Sequence, residues 1–183
     1  MGIGPLIPAV FLDRDGVINR SIVRDGKPYP PQSLAELELV PGAPAALASL
    51  HNAGFRLIVV TNQPDVARGT QSREAIDGMH DELRRMLPID DFFVCDHDDR
   101  DGCDCRKPLP GLLTQAAARY GIPLNESFLI GDRWRDVDAG HRAGVRTVLI
   151  EYGYQERGPE FEPNARVHTI EEAAAWILQS ATK

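Results

Sequence analysis

Short apolar runs alternate with amphipathic stretches along most of the chain. Five of these runs are typical of buried strands, namely residues 9–12, 57–60, 92–94, 128–130 and 147–150. The stretches between them carry helical spacing or helix-end signals, and they begin near Pro41, Ser72, Gly111 and Arg135. The pattern Thr169-x-x-Glu172 predicts a capping box for a last helix. Alternating strands and helices predict an α/β fold, in which a doubly wound parallel sheet lies between two layers of helices.

Two segments rich in proline and glycine, residues 20–40 and 152–167, interrupt this alternation and are predicted to be loops. Neither is long enough for a separate domain, whereas 183 residues suffice for one well-buried core. We therefore expect residues 1–183 to form a single domain with one active site. The sequence leaves the role of residues 21–33 open.

Polar side chains follow the predicted strands where each strand ends. Asp13 and Asp15 follow the first strand, Thr61 the second and Asp132 the fourth. In a doubly wound sheet these positions meet at the edge where ligands bind. One carboxylate of the first pair could attack phosphorus while the other protonates the leaving oxygen, and Asp132 would complete an oxygen-rich site for Mg²⁺. Taken singly, each acid also suits a turn or a helix cap.

Other polar groups extend this candidate phosphate site. Thr61 and Asn62 offer a hydroxyl, an amide and backbone N–H groups to phosphate oxygens. Lys107 would place a point charge beside the transferring phosphoryl group, and Arg106 could hold a substrate with two hydrogen bonds. Such a pair is common on solvated surfaces, but this one directly follows Cys105.

The three cysteines and one histidine form the pattern C-x-H-x5-C-x-C, whose members are Cys95, His97, Cys103 and Cys105. Three thiolates and an imidazole suffice for a closed tetrahedral Zn²⁺ site, which would be structural because no position remains for water. The alternative is a set of free thiols with a surface histidine. The remaining histidines lack such neighbours and are expected on the surface or in helices: His51, His80, His141 and His168.

Composition and charge exclude several other classes of protein. The formal net charge is -7 and the basic residues are scattered, which disfavours a nucleic-acid partner. No apolar run approaches the roughly 18 residues of a membrane-spanning helix. The apolar stretch 1–12 lacks a basic leader and is unlike a signal peptide, so we expect a cytoplasmic protein. The oligomeric state stays open.

Four motifs together resemble the haloacid dehalogenase (HAD) superfamily, and within it the zinc-containing branch of histidinol-phosphate and heptose-bisphosphate phosphatases. The motifs are FLDRDGVIN at 11–19, TNQ at 61–63, CRKP at 105–108 and GDR at 131–133 with Asp136. The resemblance implies a capless phosphatase with a zinc-bound loop, acting on a small phosphorylated metabolite.

The same resemblance implies a role for each matching residue. Asp13 would be the nucleophile and Asp15 the acid and base, with Thr61 and Lys107 stabilising the phosphoryl group. Mg²⁺ would lie on the Asp13 carboxylate, the Asp15 backbone carbonyl and Asp132. The implied substrate contacts are Asn62, Gln63, Arg106 and Arg133.

The loop after the second motif bears on the substrate. Its residues 67–69, Ala-Arg-Gly, resemble the heptose-bisphosphate group more than the histidinol-phosphate group. We therefore expect D-glycero-D-manno-heptose 1,7-bisphosphate as substrate, with histidinol phosphate or another small sugar phosphate as the alternative. A receiver-like phosphoacceptor domain is a different class of protein, and Asp15 argues against it because a receiver needs no acid at that position.

Overall fold

The structure is a computed structural model that describes residues 6–181. Residues 1–5 and 182–183, which belong to the predicted domain, lie outside the described residues. The first five positions also include part of the apolar stretch 1–12.

The described chain contains eight strands and five α-helices. The strands are β1 (Ala9–Leu12), β2 (Ile22–Arg24), β3 (Lys27–Tyr29), β4 (Arg56–Asn62), β5 (Asp91–Cys95), β6 (Phe128–Gly131), β7 (Arg146–Ile150) and β8 (Ala165–Val167). The helices are α1 (Ala43–Asn52), α2 (Arg73–Met86), α3 (Gly111–Tyr120), α4 (Trp134–Ala143) and α5 (Ile170–Ala181). Every strand and helix that the hydrophobic pattern predicts is present, with ends that differ by a few residues.

Six strands form one parallel sheet in the order β5-β4-β1-β6-β7-β8. The chain starts in the middle of this sheet, builds one half through β4 and β5, and then returns to build the other half through β6 to β8. The predicted α/β fold with a doubly wound parallel sheet is therefore confirmed. The point where the winding reverses lies at β1, which carries Asp13 at its end.

The two faces of the sheet are covered by different helices. Along β1, Val10 and Leu12 face the core that contains side chains of α1 and α5, whereas Ala9 and Phe11 face the core of α3 and α4. All four β1 side chains are buried, as expected for a parallel strand covered on both faces. Three layers result, with the sheet in the middle.

The two segments predicted as loops contain short strands. Residues 20–40 include the antiparallel hairpin of β2 and β3, and residues 152–167 include β8 at the edge of the main sheet. Each strand has only three residues, which is too short for a periodic pattern to be recognised. The prediction of loops was wrong at these positions.

Local signals explain several helix ends. The Ser72 hydroxyl accepts a hydrogen bond from the Ala75 N–H at 3.1 Å, which caps α2. At the start of α5, the Thr169 hydroxyl accepts from the Glu172 N–H at 3.2 Å. The Glu172 carboxylate accepts from the His168 N–H, not from that of Thr169, so only half of the predicted capping box forms. Among the described residues, no helix is both long and apolar enough to cross a membrane.

Candidate active site and metal centre

A cavity of about 430 Å³ opens at the carboxyl ends of the central strands. Six residues predicted for the site line it: Asp13, Asp15, Asn62, Arg106, Lys107 and Arg133. Thr61, Gln63 and Asp132 are buried beside it and expose little or no surface. The hairpin of β2 and β3 forms part of the wall through Lys27 and its neighbours, which gives residues 21–33 a place in the site.

The Lys107 ammonium group lies between two carboxylates at the base of the cavity. Its Nζ is 2.9 Å from Asp13 Oδ1, 2.6 Å from Asp136 Oδ1 and 2.8 Å from the Val60 carbonyl oxygen. All three ammonium protons therefore have an acceptor. Burial alone would lower the pKa of Lys107, but the two anions outweigh it and raise that pKa, so the lysine stays charged.

Asp13 is one of the two carboxylates that contact the Lys107 ammonium group. Its Oδ1 also accepts from the Arg14 N–H at 2.8 Å, so that oxygen is fixed in place. Burial raises the pKa of Asp13 to about 6, while the positive charge of Lys107 opposes the rise. A carboxylate nucleophile must be ionised, and the ammonium group of Lys107 favours that form.

Asp132 has an unusual environment for a buried acid. Neither of its oxygens has a hydrogen-bond partner of standard geometry among the described residues. Burial and the negative charge of Asp13 raise the pKa of Asp132 well above its usual range, and the Tyr154 hydroxyl opposes this only to a smaller extent. A cation beside this carboxylate would remove the penalty.

The same region offers a set of ligands for that cation. Carboxylate oxygens of Asp13, Asp132 and Asp136 lie within 4.8 Å of one another. Gly16 leaves room for them, since a Cβ there would lie 1.9 Å from Asp132 Oδ2. Mg²⁺ prefers oxygen ligands, and both carboxylate oxygens of Asp132 lack a hydrogen bond of standard geometry, so the set fits this ion. The sequence had suggested Asp13 and Asp132 as ligands, whereas Asp136 is an addition that is already paired with Lys107.

The Asp15 carboxylate is held by several donors. Arg14 donates from Nε and Nη2 at 3.1 and 2.9 Å to Asp15 Oδ1, Asn19 donates at 2.9 Å, and Gln63 donates at 2.8 Å to Oδ2. Gln63 also donates to the Thr61 hydroxyl at 2.9 Å. Because the Gln63 side chain is fully buried and does not line the cavity, it orients Asp15 and Thr61; the structure gives no support to a substrate contact by Gln63.

Behind Asp15 lies a residue pair that the sequence analysis missed. The Arg14 side chain has no exposed surface, and its Nη1 lies 3.2 Å from Nε2 of His80 in α2. Burial, and then the charge of Arg14, lower the pKa of His80 to about 3. His80 lies in a helix, which is one of the two placements expected from the sequence, and it is buried there because it follows Ile76 and Met79 on the buried face of α2. That helical spacing was the available signal.

Charged pairs form the rim of the cavity. Arg106 donates to Asp99 at 2.7 Å, and Arg133 donates from Nε to Glu156 at 2.9 Å. Asn62 accepts from the Lys107 N–H and donates to the Lys107 carbonyl, both at 3.0 Å. Asn62 therefore ties the end of β4 to the loop that carries Lys107, and its amide is already engaged.

The predicted zinc ligands converge beside this rim. Cys95 Sγ lies 3.1 Å from Cys105 Sγ and 3.7 Å from Cys103 Sγ, and His97 Nδ1 lies 3.3 Å from Cys105 Sγ. Bonds of about 2.3 Å around a tetrahedral zinc ion would separate two sulfurs by roughly 3.8 Å. All four ligand atoms lie within 4.8 Å of one another, so the set fits a zinc ion. Burial raises the pKa of the Cys95 and Cys105 thiols, and a bound cation would reverse this.

Comparison with known proteins agrees with this geometry. A family model described as HAD-hydrolase-like matches residues 104–173. A D-glycero-beta-D-manno-heptose-1,7-bisphosphate 7-phosphatase of Pseudomonas putida is 37% identical over 153 residues, which cover 81% of this chain and 85% of that relative. The enzyme of the same name from Escherichia coli K12 is 32% identical over 186 residues, with coverage of 95% and 90%. The chain belongs to the heptose-bisphosphate phosphatase family of HAD-like hydrolases.

A solved member of this family shares the fold. The D,D-heptose 1,7-bisphosphate phosphatase from B. bronchiseptica, complexed with magnesium and phosphate, has a TM-score of 0.82 and 32% identity, and the match covers 96% of this chain and 100% of that one. The haloacid dehalogenase resemblance is thus confirmed, and so is phosphate-ester hydrolysis as the type of activity.

Proposed function

We propose that this phosphatase hydrolyses the 7-phosphate of D-glycero-D-manno-heptose 1,7-bisphosphate through a phosphoryl group carried transiently by Asp13. The observation that carries the proposal is the buried group of Asp13, Lys107 and Asp136 beside the unpartnered Asp132, all at one end of the sheet. The relatives named above act on this heptose bisphosphate according to their names.

The reaction requires two successive proton transfers, and both are assigned to Asp15 in this proposal. In the first step an Asp13 oxygen bonds to phosphorus while the bond between phosphorus and the sugar oxygen breaks. The protonated Asp15 carboxyl group supplies a proton to the sugar oxygen as it leaves. In the second step Asp15 takes a proton from water, whose oxygen bonds to phosphorus and releases phosphate from Asp13. Lys107, held 2.9 Å from Asp13, offsets negative charge near the transferring group, and Thr61 lies at the end of the neighbouring strand.

We further propose that Asp13, Asp132 and the backbone carbonyl of Asp15 hold Mg²⁺. The ion would supply positive charge that offsets the repulsion between an anionic carboxylate and an anionic phosphate. The magnesium in the related B. bronchiseptica structure supports this choice of metal. So does the raised pKa of Asp132, because burial of this carboxylate beside the charge of Asp13 is unfavourable unless a cation or a proton is present.

Zn²⁺ is proposed as the ion of the cysteine cluster, with a structural role. The ligand Cys105 lies directly before Arg106 and Lys107, and Cys103 lies two residues earlier, so the ion would fix the loop that presents both basic side chains. Four protein ligands leave no position for water or substrate.

The substrate is expected to use both ends of the cavity. The reacting phosphate would lie at Asp13, while the remote end of the sugar meets Arg106, Arg133 and neighbouring loop residues of the rim. Each of these two arginines is paired with an acid, so an incoming phosphate would have to compete with Asp99 or Glu156. Binding at the remote end would help to position the ester for attack.

Phosphate release from a panel of substrates tests this proposal. Heptose 1,7-bisphosphate should be turned over with a higher kcat/KM than histidinol phosphate, and Arg106→Ala should narrow the difference. Arg119→Ala is a matched control, since Arg119 lies on α3 and does not line the cavity. A kinetic preference for histidinol phosphate over every sugar phosphate in the panel would contradict the proposal.

A further inference from the structure

A buried row of polar contacts runs from α2 to the carboxylate of Asp15, and its far end takes no part in the steps above. Arg14 directs Nε and Nη2 at Asp15 and directs Nη1 at His80 Nε2, at 3.2 Å. Arg14 has no exposed surface and His80 is 3% exposed. Water therefore cannot replace these contacts without a change of structure.

The direction of the hydrogen bond fixes the state of the histidine ring. A guanidinium group only donates, so Nε2 of His80 must accept and the ring proton must lie on Nδ1. Burial lowers the pKa of His80 to about 3, which keeps the ring neutral over the physiological pH range. The ring is also held sterically, because it stacks on Phe92 of β5 with centroids 4.4 Å apart and planes at 19°.

These contacts decide where Asp15 can point. Two Arg14 nitrogens donate hydrogen bonds to the Asp15 carboxylate, and Asn19 and Gln63 each donate one more. An arginine that lost its acceptor at Nη1 would have a buried unsatisfied donor, and it would relieve that cost by turning toward another acceptor. Any such rotation would carry the Asp15 carboxylate with it. A displacement of about 1 Å in a reacting group lowers a rate by roughly 100-fold.

We propose that His80 is a positioning residue for this phosphatase: by accepting a hydrogen bond from Arg14, it fixes the guanidinium group that orients Asp15 toward the leaving oxygen. The inference rests on the proposed acid and base role of Asp15. Among the residues that the structure describes, His80 does not line the cavity, and the Arg14 side chain links it to Asp15.

The nature of the leaving group separates this role from a merely structural one. The alkoxide of a sugar phosphate needs a proton to depart, whereas p-nitrophenolate departs without one. Since kcat/KM reports the barrier from free enzyme and substrate, a misplaced acid lowers it for the sugar ester and spares the aryl ester. A general loss of folded enzyme would lower both values equally.

The experiment compares kcat/KM for heptose 1,7-bisphosphate and p-nitrophenyl phosphate in three variants. His80→Phe keeps a ring against Phe92 but has no acceptor, His80→Met has neither, and His80→Gln restores an acceptor oxygen. His141→Phe is the control, because His141 also stacks on an aromatic ring, Phe161 at 3.8 Å, yet has no contact with Arg14. In His80→Phe and His80→Met, kcat/KM should fall by about 10-fold to 100-fold for the sugar ester and by less than about threefold for the aryl ester. Gln should restore most of the loss.

Asp15→Asn separates failure of this inference from failure of the proposed function. If Asp15→Asn loses the sugar ester selectively but His80→Phe and His80→Met do not, the role of His80 is refuted and that of Asp15 stands. If Asp15→Asn lowers kcat/KM for both esters equally, the acid role of Asp15 fails and the inference fails with it. Equal losses in the Gln and Phe variants would also overturn the role of His80.

Discussion

Replacement of Lys107 by Met removes the positive charge from the buried group of Asp13, Lys107 and Asp136. It removes the ammonium group that bridges Asp13 and Asp136 and leaves two buried carboxylates without their shared partner. Breaking a buried ion pair from one side costs about 3–5 kcal/mol, because a charge remains uncompensated. For a domain of this size that loss corresponds to a decrease in melting temperature of roughly 6–20 °C.

A second substitution tests the electrostatic origin of that loss. Asp136→Asn added to Lys107→Met removes one of the two stranded charges while it keeps an oxygen that can accept from the Arg133 N–H. The double variant should therefore be more stable than Lys107→Met alone, with a coupling energy of about 0.5–3 kcal/mol. Its activity should stay at least about 100-fold below wild type, because charge stabilisation at Asp13 is still missing.

Urea denaturation in the presence of a chelator measures these stabilities without a contribution from bound metal. A loss below about 1 kcal/mol in Lys107→Met would refute the argument, since it would place the ammonium group in solvent rather than between two buried carboxylates. Equal stabilities of the single and double variants would contradict the electrostatic explanation.

Three further predictions follow from other parts of the structure. Gly16→Ala should weaken magnesium binding, measured by calorimetry, because the added methyl group would collide with Asp132. Gly54→Ala is the control and should leave magnesium binding unchanged, since Gly54 also has a positive φ but has no neighbour at that position. Cys103→Ser should release about one zinc ion per chain, measured by metal analysis, and raise KM more than it unfolds the protein; zinc-free wild type would contradict this. His80 takes up a proton below about pH 6.5 in the unfolded chain but only near pH 3 in the native protein. As the pH falls between these values, the free energy of unfolding of wild type should therefore decrease by up to about 1.4 kcal/mol per pH unit more than that of His80→Gln. Equal slopes in urea titrations would refute that.

The sequence pattern predicts the sheet well, because each parallel strand is an apolar run that ends in a polar residue. Strand ends fix where Asp13, Thr61 and Asp132 come together, so the core of the site follows from the fold class alone. The spacing of the cysteines likewise predicts a cluster that the structure brings within ligand distance.

Other features depend on tertiary contacts that leave no local pattern. The strands β2 and β3 are short and pair only with each other, so their alternation is not detectable. The sequence around Arg14 gives no signal that this charged side chain is buried. Its burial is compensated by hydrogen bonds to Asp15 and His80. Gln63 sits in a motif beside the reacting groups, yet the chain turns its amide beneath Asp15 rather than toward the cavity. For Arg14 and Gln63, a partner distant in sequence decides the position: His80 for Arg14 and Asp15 for Gln63.

The most direct test of the account is a burst experiment with the Asp15→Asn variant and p-nitrophenyl phosphate. This ester can transfer its phosphoryl group to Asp13 without a proton donor, but the next step lacks the base that activates water. We predict a burst of about one equivalent of p-nitrophenolate per chain, followed by slow turnover, with the phosphoryl group located on Asp13 by peptide mapping after acid quench. Asp13→Asn should give no burst. Continued rapid turnover by Asp15→Asn, or a phosphoryl group on any residue other than Asp13, would contradict the proposed mechanism.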